Sequence, residues 1–221
     1  MYIKNRGVAL IYRCLIVAAC SVGLVLNIFT RQNGFDSESL IYYTNLSNMI
    51  CLLYFLLLVA HMAISLKKGV NGAVALFPAM KGAFTLMIAV TILVYHFLLA
   101  GGKAPEYDGT NIQRWLANML LHYVAPAMVI LDWILFDPKR VFRRFDPLLW
   151  LIIPVLYAVF TLIRAEIGGE IAGKGTRFPY FFLDIDAIGW SGMLGYVGVF
   201  AVIFTALGYV MLLLDWYMGK W

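Results

Sequence analysis

The sequence predicts an all-α polytopic membrane protein, a bundle of six transmembrane helices with the N- and C-termini in the cytoplasm. Of its 221 residues, 63% are hydrophobic and 13% are charged, against roughly 45–50% and about 25% in soluble domains. The apolar runs approach or exceed the roughly 20 residues that cross about 30 Å of hydrocarbon. They cover about residues 9–29, 40–65, 80–100, 112–136, 148–164 and 191–214. Because these spans use most of the chain, we expect one transmembrane domain over residues 1–221 and no soluble catalytic domain.

The first span contains Val17-Ala18-Ala19-Cys20, which resembles the cleavage box of a bacterial lipoprotein signal. The apolar stretch between Arg13 and this cysteine is short for a signal peptide, and the hydrophobic run continues past it to Phe29. We therefore expect this segment to remain as a permanent span.

The second and fourth spans carry polar residues inside apolar sequence. The second opens on Tyr43-Thr44-Asn45-Leu46-Ser47-Asn48, and the fourth holds His122. Unpaired polar or ionisable groups are costly in hydrocarbon, so such residues point to a functional site.

Short connections rich in Gly and Lys separate the spans, except for the fifth, from Ala165 to Trp190. That segment has several glycines and then the aromatic stretch Phe178-Pro179-Tyr180-Phe181-Phe182-Leu183-Asp184. It fits a re-entrant or interfacial lid over the outer end of the bundle. It fits an aromatic belt at the membrane interface equally well.

The basic residues give the orientation. Most lie at the termini and in the second and fourth connections: Lys4, Arg6, Lys67, Lys68, Lys81, Lys139, Arg140, Arg143, Arg144 and Lys220. The other connections hold Arg31, Lys103, Lys174 and Arg177 with most of the acids, Asp108 among them. The positive-inside rule then places both termini in the cytoplasm. The net charge of +5 is thus a topology signal and does not indicate nucleic-acid binding, although the cluster from Lys139 to Arg144 could also contact anionic lipid head groups.

The three cysteines, Cys14, Cys20 and Cys51, all lie within spans and lack the spacing of a zinc or redox site. We interpret them as small packing residues. The histidines lie at separate depths and no acid shares the helix face of His122, so we expect no metal and no cofactor.

Side chains three and four residues apart share one face of a helix. Thr44, Ser47, Asn48 and Cys51 therefore form one stripe, and Asn118, His122 and Pro126 form another. At about 1.5 Å rise per residue, Thr44 lies roughly 6–12 Å below the start of its helix and His122 roughly 15 Å below Ile112. The two could touch in the outer half of the membrane. The alternative is that Thr and Ser bond to their own or neighbouring helices. Asp132, about 15 Å along the axis from His122, is too distant to orient it as in a triad.

These residues resemble a known family. The pattern Tyr43-Thr44-Asn45-Leu46-Ser47-Asn48, followed by Leu121-His122-Tyr123-Val124-Ala125-Pro126 and Asp132-Trp133, is similar to that of the androgen-induced protein family of integral membrane hydrolases. The aromatic stretch from Phe178 to Asp184 resembles that family's fifth connection, and the chain looks most like its compact bacterial members.

The resemblance implies a threonine hydrolase acting on fatty acid esters of hydroxy fatty acids or a related lipid ester, with Thr44 and His122 as the essential pair. In the mechanism we expect, neutral His122 takes the proton of the Thr44 hydroxyl, which attacks the ester carbonyl. Candidate donors to the oxyanion are Asn48, Ser47 and Asn118. Arg164 could bind a carboxylate or extend to the head groups, and Asp184 is a further substrate-binding candidate.

The expected location is a membrane, in the bacterial case the cytoplasmic membrane, with a lipid or fatty-acyl ester as partner and no protein partner indicated. Two other classes stay open. A small-molecule or proton transporter would also place polar groups inside the bundle, although no inverted repeat is evident. A non-catalytic assembly protein would leave Thr44 and His122 more than about 8 Å apart, outside the range for proton transfer.

Overall fold

The computed structural model describes residues 3–30, 34–72, 74–107 and 109–220, so Arg31 and Asp108 lie outside the described residues. The structure is about 75% helical, with almost no strand among the described residues. Six helices within these residues are long and apolar enough to cross a membrane. The predicted all-α class and the six helical spans are confirmed, and the chain is an integral membrane protein by the length and composition of its helices. The orientation of the termini stays a prediction.

The N-terminal part begins with α1, Arg6–Ile28, capped by the Asn5 side chain, which accepts from the Val8 amide at 3.1 Å. Two short antiparallel strands follow, β1 (Phe29–Thr30) and β2 (Gly34–Phe35). A 3₁₀ helix, Ser37–Ile41, then leads into α2, Tyr43–Lys67.

The start of α2 differs from the predicted one. Tyr42 has extended backbone angles, φ −80° and ψ 136°, and separates the 3₁₀ helix from α2. Thr44 is therefore in the first turn of α2, and the expectation that it lies roughly 6–12 Å down the helix is wrong. The nucleophile candidate sits at a helix end, beside irregular backbone.

The third and fourth spans both contain a π-helical turn. Helix α3, Pro78–Leu93, continues as π-helix over Val94–Leu99. The fourth span runs as α4 (Ile112–Met119), a π-helical turn (Leu120–Val124) and α5 (Ala125–Phe136). Pro126 has no N–H to donate to the carbonyl of His122, which favours a change in hydrogen-bond pattern at this point.

The C-terminal part comprises α6 (Asp146–Leu149), α7 (Ile152–Gly168), a 3₁₀ turn (Phe181–Leu183) and α8 (Ile185–Met218). Gly189 interrupts α8 with φ 68° and ψ 170°, so the uninterrupted helix begins close to the predicted residue 191. The helix extends past the predicted end at residue 214 to Met218. This last part includes Asp215, whose carboxylate accepts hydrogen bonds from the backbone amides of Val141 and Phe142 at 2.9 and 3.2 Å.

Close packing brings α2 and the fourth span together against α1. A Cβ at Gly23 of α1 would lie 2.7 Å from the Leu121 side chain, so only glycine permits this approach. Cys20 and Cys51 are fully buried between these helices, as their interpretation as packing residues requires. Cys14 is exposed, so that interpretation is wrong for it.

A buried cluster of two bases and two acids ties α1, α3 and α5 to the loop after α5. Arg13 binds Asp132 at 2.8 Å and Asp137 at 2.9 Å. Lys81 binds the same two carboxylates, and all four side chains are at most 4% exposed. Each carboxylate therefore bridges two cations, which balances the charges of these buried side chains. Lys81, counted above among the basic residues of the connections, is thus buried within the bundle.

Lys139 is also unavailable to lipid head groups. Its ammonium lies 4.4 Å from the centre of the Trp133 ring and donates to the Trp133 carbonyl. Only 9% of the residue is exposed, and burial lowers the pKa of Lys139 to about 8. The lipid contact expected of the Lys139–Arg144 cluster would have to come from its arginines.

Replacing Asp132 with Asn should lower the free energy of unfolding by about 3–5 kcal/mol, because it leaves buried cations without balanced charge. The measurement is SDS-induced unfolding in mixed micelles, followed by tryptophan fluorescence. The double variant Asp132→Asn with Lys81→Met should recover part of the loss. Glu166→Ala, which removes an exposed partner of Arg177, should change little; equal losses in Asp132→Asn and Glu166→Ala would contradict this account.

Candidate active site

Thr44 and His122 are in direct contact. The Thr44 Oγ1 lies 3.1 Å from His122 Nε2, within the normal range for a hydrogen bond. Thr44 is 8% exposed. The predicted approach of the two stripes is therefore confirmed, and the separation of more than about 8 Å expected of a non-catalytic protein is not observed.

The contact of the second ring nitrogen of His122 shows which of the two ring nitrogens carries the hydrogen. Its Nδ1 is 3.1 Å from the backbone carbonyl of Asn118. A carbonyl can only accept, so Nδ1 carries the hydrogen and Nε2 of the neutral ring is the acceptor. Thr44 must then donate its hydroxyl hydrogen to His122. This is the arrangement of a hydroxyl nucleophile and its general base, with a backbone carbonyl in the orienting position that a carboxylate takes in serine proteases.

The two π-helical turns meet at this ring. His122 belongs to the turn Leu120–Val124, and Tyr95 belongs to the turn Val94–Leu99 of the third span. Their rings stack with centroids 3.6 Å apart and planes at 23°. The stacking fixes the orientation of the imidazole on one face. Single π-helical turns are frequent at functional sites.

Asn48 links the two helices below the contact. Its amide donates to the carbonyls of Thr44 at 2.8 Å and Leu121 at 3.0 Å, and the side chain is fully buried. Both of its N–H groups are therefore occupied. Asn48 holds α2 at a fixed distance from the fourth span, and in this position it is not free to donate to an oxyanion as predicted.

Ser47 is also engaged within the bundle. Its hydroxyl donates to the Thr44 carbonyl at 3.0 Å and lies 3.0 Å from the Thr91 hydroxyl of α3. It is 1% exposed. This agrees with the alternative given above, in which Ser bonds to its own or a neighbouring helix. Ser47 therefore holds Thr44 in place and does not contact a substrate. Asn118 enters the site through its backbone carbonyl.

Arg164 and Asp184 are not brought to Thr44. Arg164 donates to the carbonyls of Gly169 at 2.8 Å and Arg177 at 3.0 Å, and so closes the C-terminal end of α7. Asp184 caps the first turn of α8, accepting from the amides of Asp186 and Ala187 at 3.1 Å. Both side chains stabilise the ends of helices, and neither lines the cavities beside Thr44. Their prediction as substrate-binding residues is wrong for this structure.

An apolar cavity of about 270 Å³ lies between α3, α7 and α8, with Thr44 on its wall. Its lining includes residues that also face outward: Val155, Trp190 and Leu194 are 52%, 58% and 60% exposed. The cavity therefore opens sideways between α7 and α8, toward the surface that faces hydrocarbon. It is close in size to small ligand pockets, which range over about 300–1,000 Å³.

A second cavity, of about 340 Å³, contains the polar groups. His122 lines it, together with Asn27, Asp36, Ser39, Asn45 and Lys174. Four residues line both cavities, namely Thr44, Tyr95, Leu99 and Tyr180. The hydroxyl of Thr44 thus lies where an apolar space meets a polar one.

Tyr180 is a site residue that the sequence did not single out. Tyr180 lines both cavities together with Thr44, and burial raises the pKa of Tyr180 to about 12. Its ring contacts that of Tyr42 edge-on, with centroids 5.9 Å apart. The fifth connection therefore lines the site, and its interpretation as a lid stays a prediction. The available signal was the one tyrosine hydroxyl in the Phe178–Asp184 stretch.

Within residues 3–30, 34–72, 74–107 and 109–220, no three His, Cys, Asp or Glu side chains are grouped so that they could hold a metal ion. The chain matches no model of a known protein family, no curated protein and no solved structure.

Replacing Asn48 should loosen the contact between α2 and the fourth span. We expect Asn48→Ala to lower the free energy of unfolding by about 1–3 kcal/mol, because two buried carbonyls lose their donor. Asn48→Asp should cost more, since a carboxylate faces two carbonyls that only accept. Denaturation in mixed micelles measures both, with the exposed Asn71→Ala as control; an aspartate variant as stable as the wild type would contradict this role.

Proposed function

We propose that this chain is an intramembrane lipid ester hydrolase in which Thr44 is the nucleophile and His122 the general base. The observation that carries the proposal is the 3.1 Å contact between Thr44 Oγ1 and His122 Nε2, with Nδ1 held by the Asn118 carbonyl. A hydroxyl is a weak nucleophile until a neighbouring base removes its proton. The geometry supplies that base in the required tautomer.

The reaction proceeds in two halves. Thr44 Oγ1 attacks the ester carbonyl carbon while its proton passes to His122 Nε2, and the carbonyl electron pair moves onto oxygen. Collapse of this intermediate expels the alcohol, which takes the proton from His122 and leaves an acyl-threonine. Water then attacks the acyl group, His122 accepts its proton and returns it to Thr44 Oγ1, and the carboxylic acid is released.

The two cavities suit the two parts of a lipid ester. The acyl chain fits the apolar cavity, which opens sideways toward hydrocarbon between α7 and α8. The alcohol part, and the water of the second half-reaction, fit the polar cavity lined by His122 and Lys174. Because Thr44 borders both, the ester bond lies at their junction.

The substrate class proposed is a fatty acid ester of a hydroxy fatty acid or a related lipid ester, in keeping with the resemblance to the androgen-induced protein family. The proposed location is the cytoplasmic membrane of a bacterium, with both termini in the cytoplasm. In that orientation the polar cavity opens to the outer side, because Thr44 lies in the first turn of a helix that enters the membrane from outside.

Activity-based labelling tests the nucleophile and the reaction class together. We expect a fluorophosphonate probe to modify Thr44 in the purified wild type, as identified by mass spectrometry of the adducted peptide. Thr44→Ala and His122→Ala should lose labelling and at least about 10²-fold in ester hydrolysis. Thr44→Ser should keep part of both, since the hydroxyl remains.

The matched control is Thr161→Val, which removes a buried threonine hydroxyl that bonds the Ala158 carbonyl of its own helix. It should label and hydrolyse as the wild type does. Full ester hydrolysis by Thr44→Ala or by His122→Ala would rule out the mechanism. A transporter would not be captured covalently at Thr44.

The apolar cavity should limit the length of the acyl chain that the protein accepts. Ala201 lines it, so Ala201→Phe should lower kcat/KM for long-chain p-nitrophenyl esters by about tenfold or more and retain activity on short-chain esters. The neighbouring Val202 is 71% exposed on the outer face of α8, and Val202→Phe should leave the chain-length profile unchanged. Identical profiles for the two variants would exclude this cavity as the acyl site.

A further inference from the structure

An oxyanion forms on the carbonyl oxygen when Thr44 attacks an ester, and it requires donors placed in advance. Asn48 already uses both amide hydrogens on the carbonyls of Thr44 and Leu121. Ser47 uses its hydrogen within the bundle. The donor must therefore come from another element that borders Thr44.

Tyr180 borders both cavities together with Thr44. Its ring is held by Tyr42 on one edge and by Phe182, which stacks on it with centroids 5.1 Å apart and planes at 6°. The backbone before it is fixed by Lys174, which donates to the Pro179 carbonyl at 2.9 Å. A rigid ring places its hydroxyl at low conformational cost, as a preorganised donor requires.

The start of α2 lies beside this ring. Tyr42, whose ring contacts that of Tyr180, directly precedes the first turn of α2 and supplies no side-chain acceptor to it. The backbone N–H groups of that turn have no acceptor within the helix. Tyr180 is therefore next to the positive end of the α2 helix dipole.

We infer that the Tyr180 hydroxyl donates to the substrate carbonyl oxygen and stabilises the oxyanion formed when Thr44 attacks, which makes Tyr180 a third catalytic residue. The inference rests on the proposed function of the Thr44–His122 pair. The positive end of the α2 helix dipole, beside Tyr180, also favours the negative charge that develops on the oxyanion. The fifth connection thus supplies a catalytic group as well as part of the cavity wall.

The ionisation of Tyr180 suits this role. Burial raises the pKa of Tyr180 to about 12, so the phenol keeps its proton at every pH below that value. A phenol with a raised pKa loses the proton that it donates only as the pH rises through that pKa. We therefore expect no alkaline loss of activity from this group between about pH 7 and pH 10, two units below its pKa.

The test is Tyr180→Phe in the purified full-length chain, assayed in detergent micelles with a long-chain p-nitrophenyl ester. We expect kcat to fall about 10²- to 10³-fold, the usual loss for one oxyanion donor, with KM within about twofold. A long-chain alkyl trifluoromethyl ketone, which adds Thr44 to give a charged tetrahedral adduct, should bind more weakly by a similar factor. The free fatty acid of the same chain length should bind equally well to both proteins.

Tyr196→Phe is the matched control, because Tyr196 packs against Phe181 and Phe182 of the same segment and lines neither cavity. It should keep the kcat of the wild type. A kcat for Tyr180→Phe within fivefold of wild type, or equal losses of ketone and fatty acid affinity, would overturn the inference. In that case an inactive Thr44→Ala would still support the proposed function. An active Thr44→Ala would contradict both the proposed function and the inference about Tyr180.

A second variant separates donation from packing. Incorporating 3,5-difluorotyrosine at position 180 keeps the ring and the hydroxyl and lowers the pKa of the phenol. A catalytic donor then gives a new alkaline limb, with kcat falling as the pH rises through the lowered pKa, because the phenolate cannot donate and repels the oxyanion. A flat profile would show that only the shape of Tyr180 matters.

Discussion

Hydrocarbon offers no hydrogen-bond partner, and most features of this structure follow from the need to pair polar groups inside the bundle. Among the described residues, the buried side-chain polar atoms without a partner are the Tyr43 hydroxyl, the Trp133 indole nitrogen and one oxygen of Asp215. Several of the other buried polar groups join helices to each other. Near one end, Arg13 and Lys81 share the carboxylates of Asp132 and Asp137, and toward the other, Asn48 and Thr44 reach the fourth span.

The same constraint explains why the site occurs at distortions of the helices. A regular helix satisfies its own backbone and leaves little for a side chain to bind. The π-helical turns at Val94–Leu99 and Leu120–Val124 bring the ring of Tyr95 onto that of His122. The Asn118 carbonyl accepts the imidazole N–H. A backbone carbonyl has two lone pairs, so it can orient a histidine without placing a second charge in the membrane, which an aspartate would do at high cost.

Local patterns in the sequence predicted the helices and showed that Thr44 and His122 could touch, whereas their roles as a pair came from the family resemblance. Apolar runs set the spans, and the three- and four-residue spacing set the polar stripes. Arg13 was visible inside the first span, and its cost in hydrocarbon required a partner, but only the packing of α1 against α5 identifies Asp132 as that partner. For the same reason the sequence could not show that Lys81 is buried or that Arg164 donates to a backbone carbonyl at the end of its own helix.

Tyr180 could not be predicted for a different physical reason. In a stretch of aromatic residues near a membrane interface, a tyrosine has the same pattern whether it anchors a belt or enters a site. What distinguishes Tyr180 is its place beside the start of α2: Tyr42 breaks the preceding helix, and its ring contacts that of Tyr180, which belongs to a segment more than half the chain away. That break also places Thr44 in the first turn of α2, instead of roughly 6–12 Å below the helix start. In the proposed reaction the acyl chain comes from hydrocarbon and the hydrolytic water comes from the aqueous side. The nucleophile must therefore lie where both can reach it. A helix end between an apolar and a polar cavity meets that requirement.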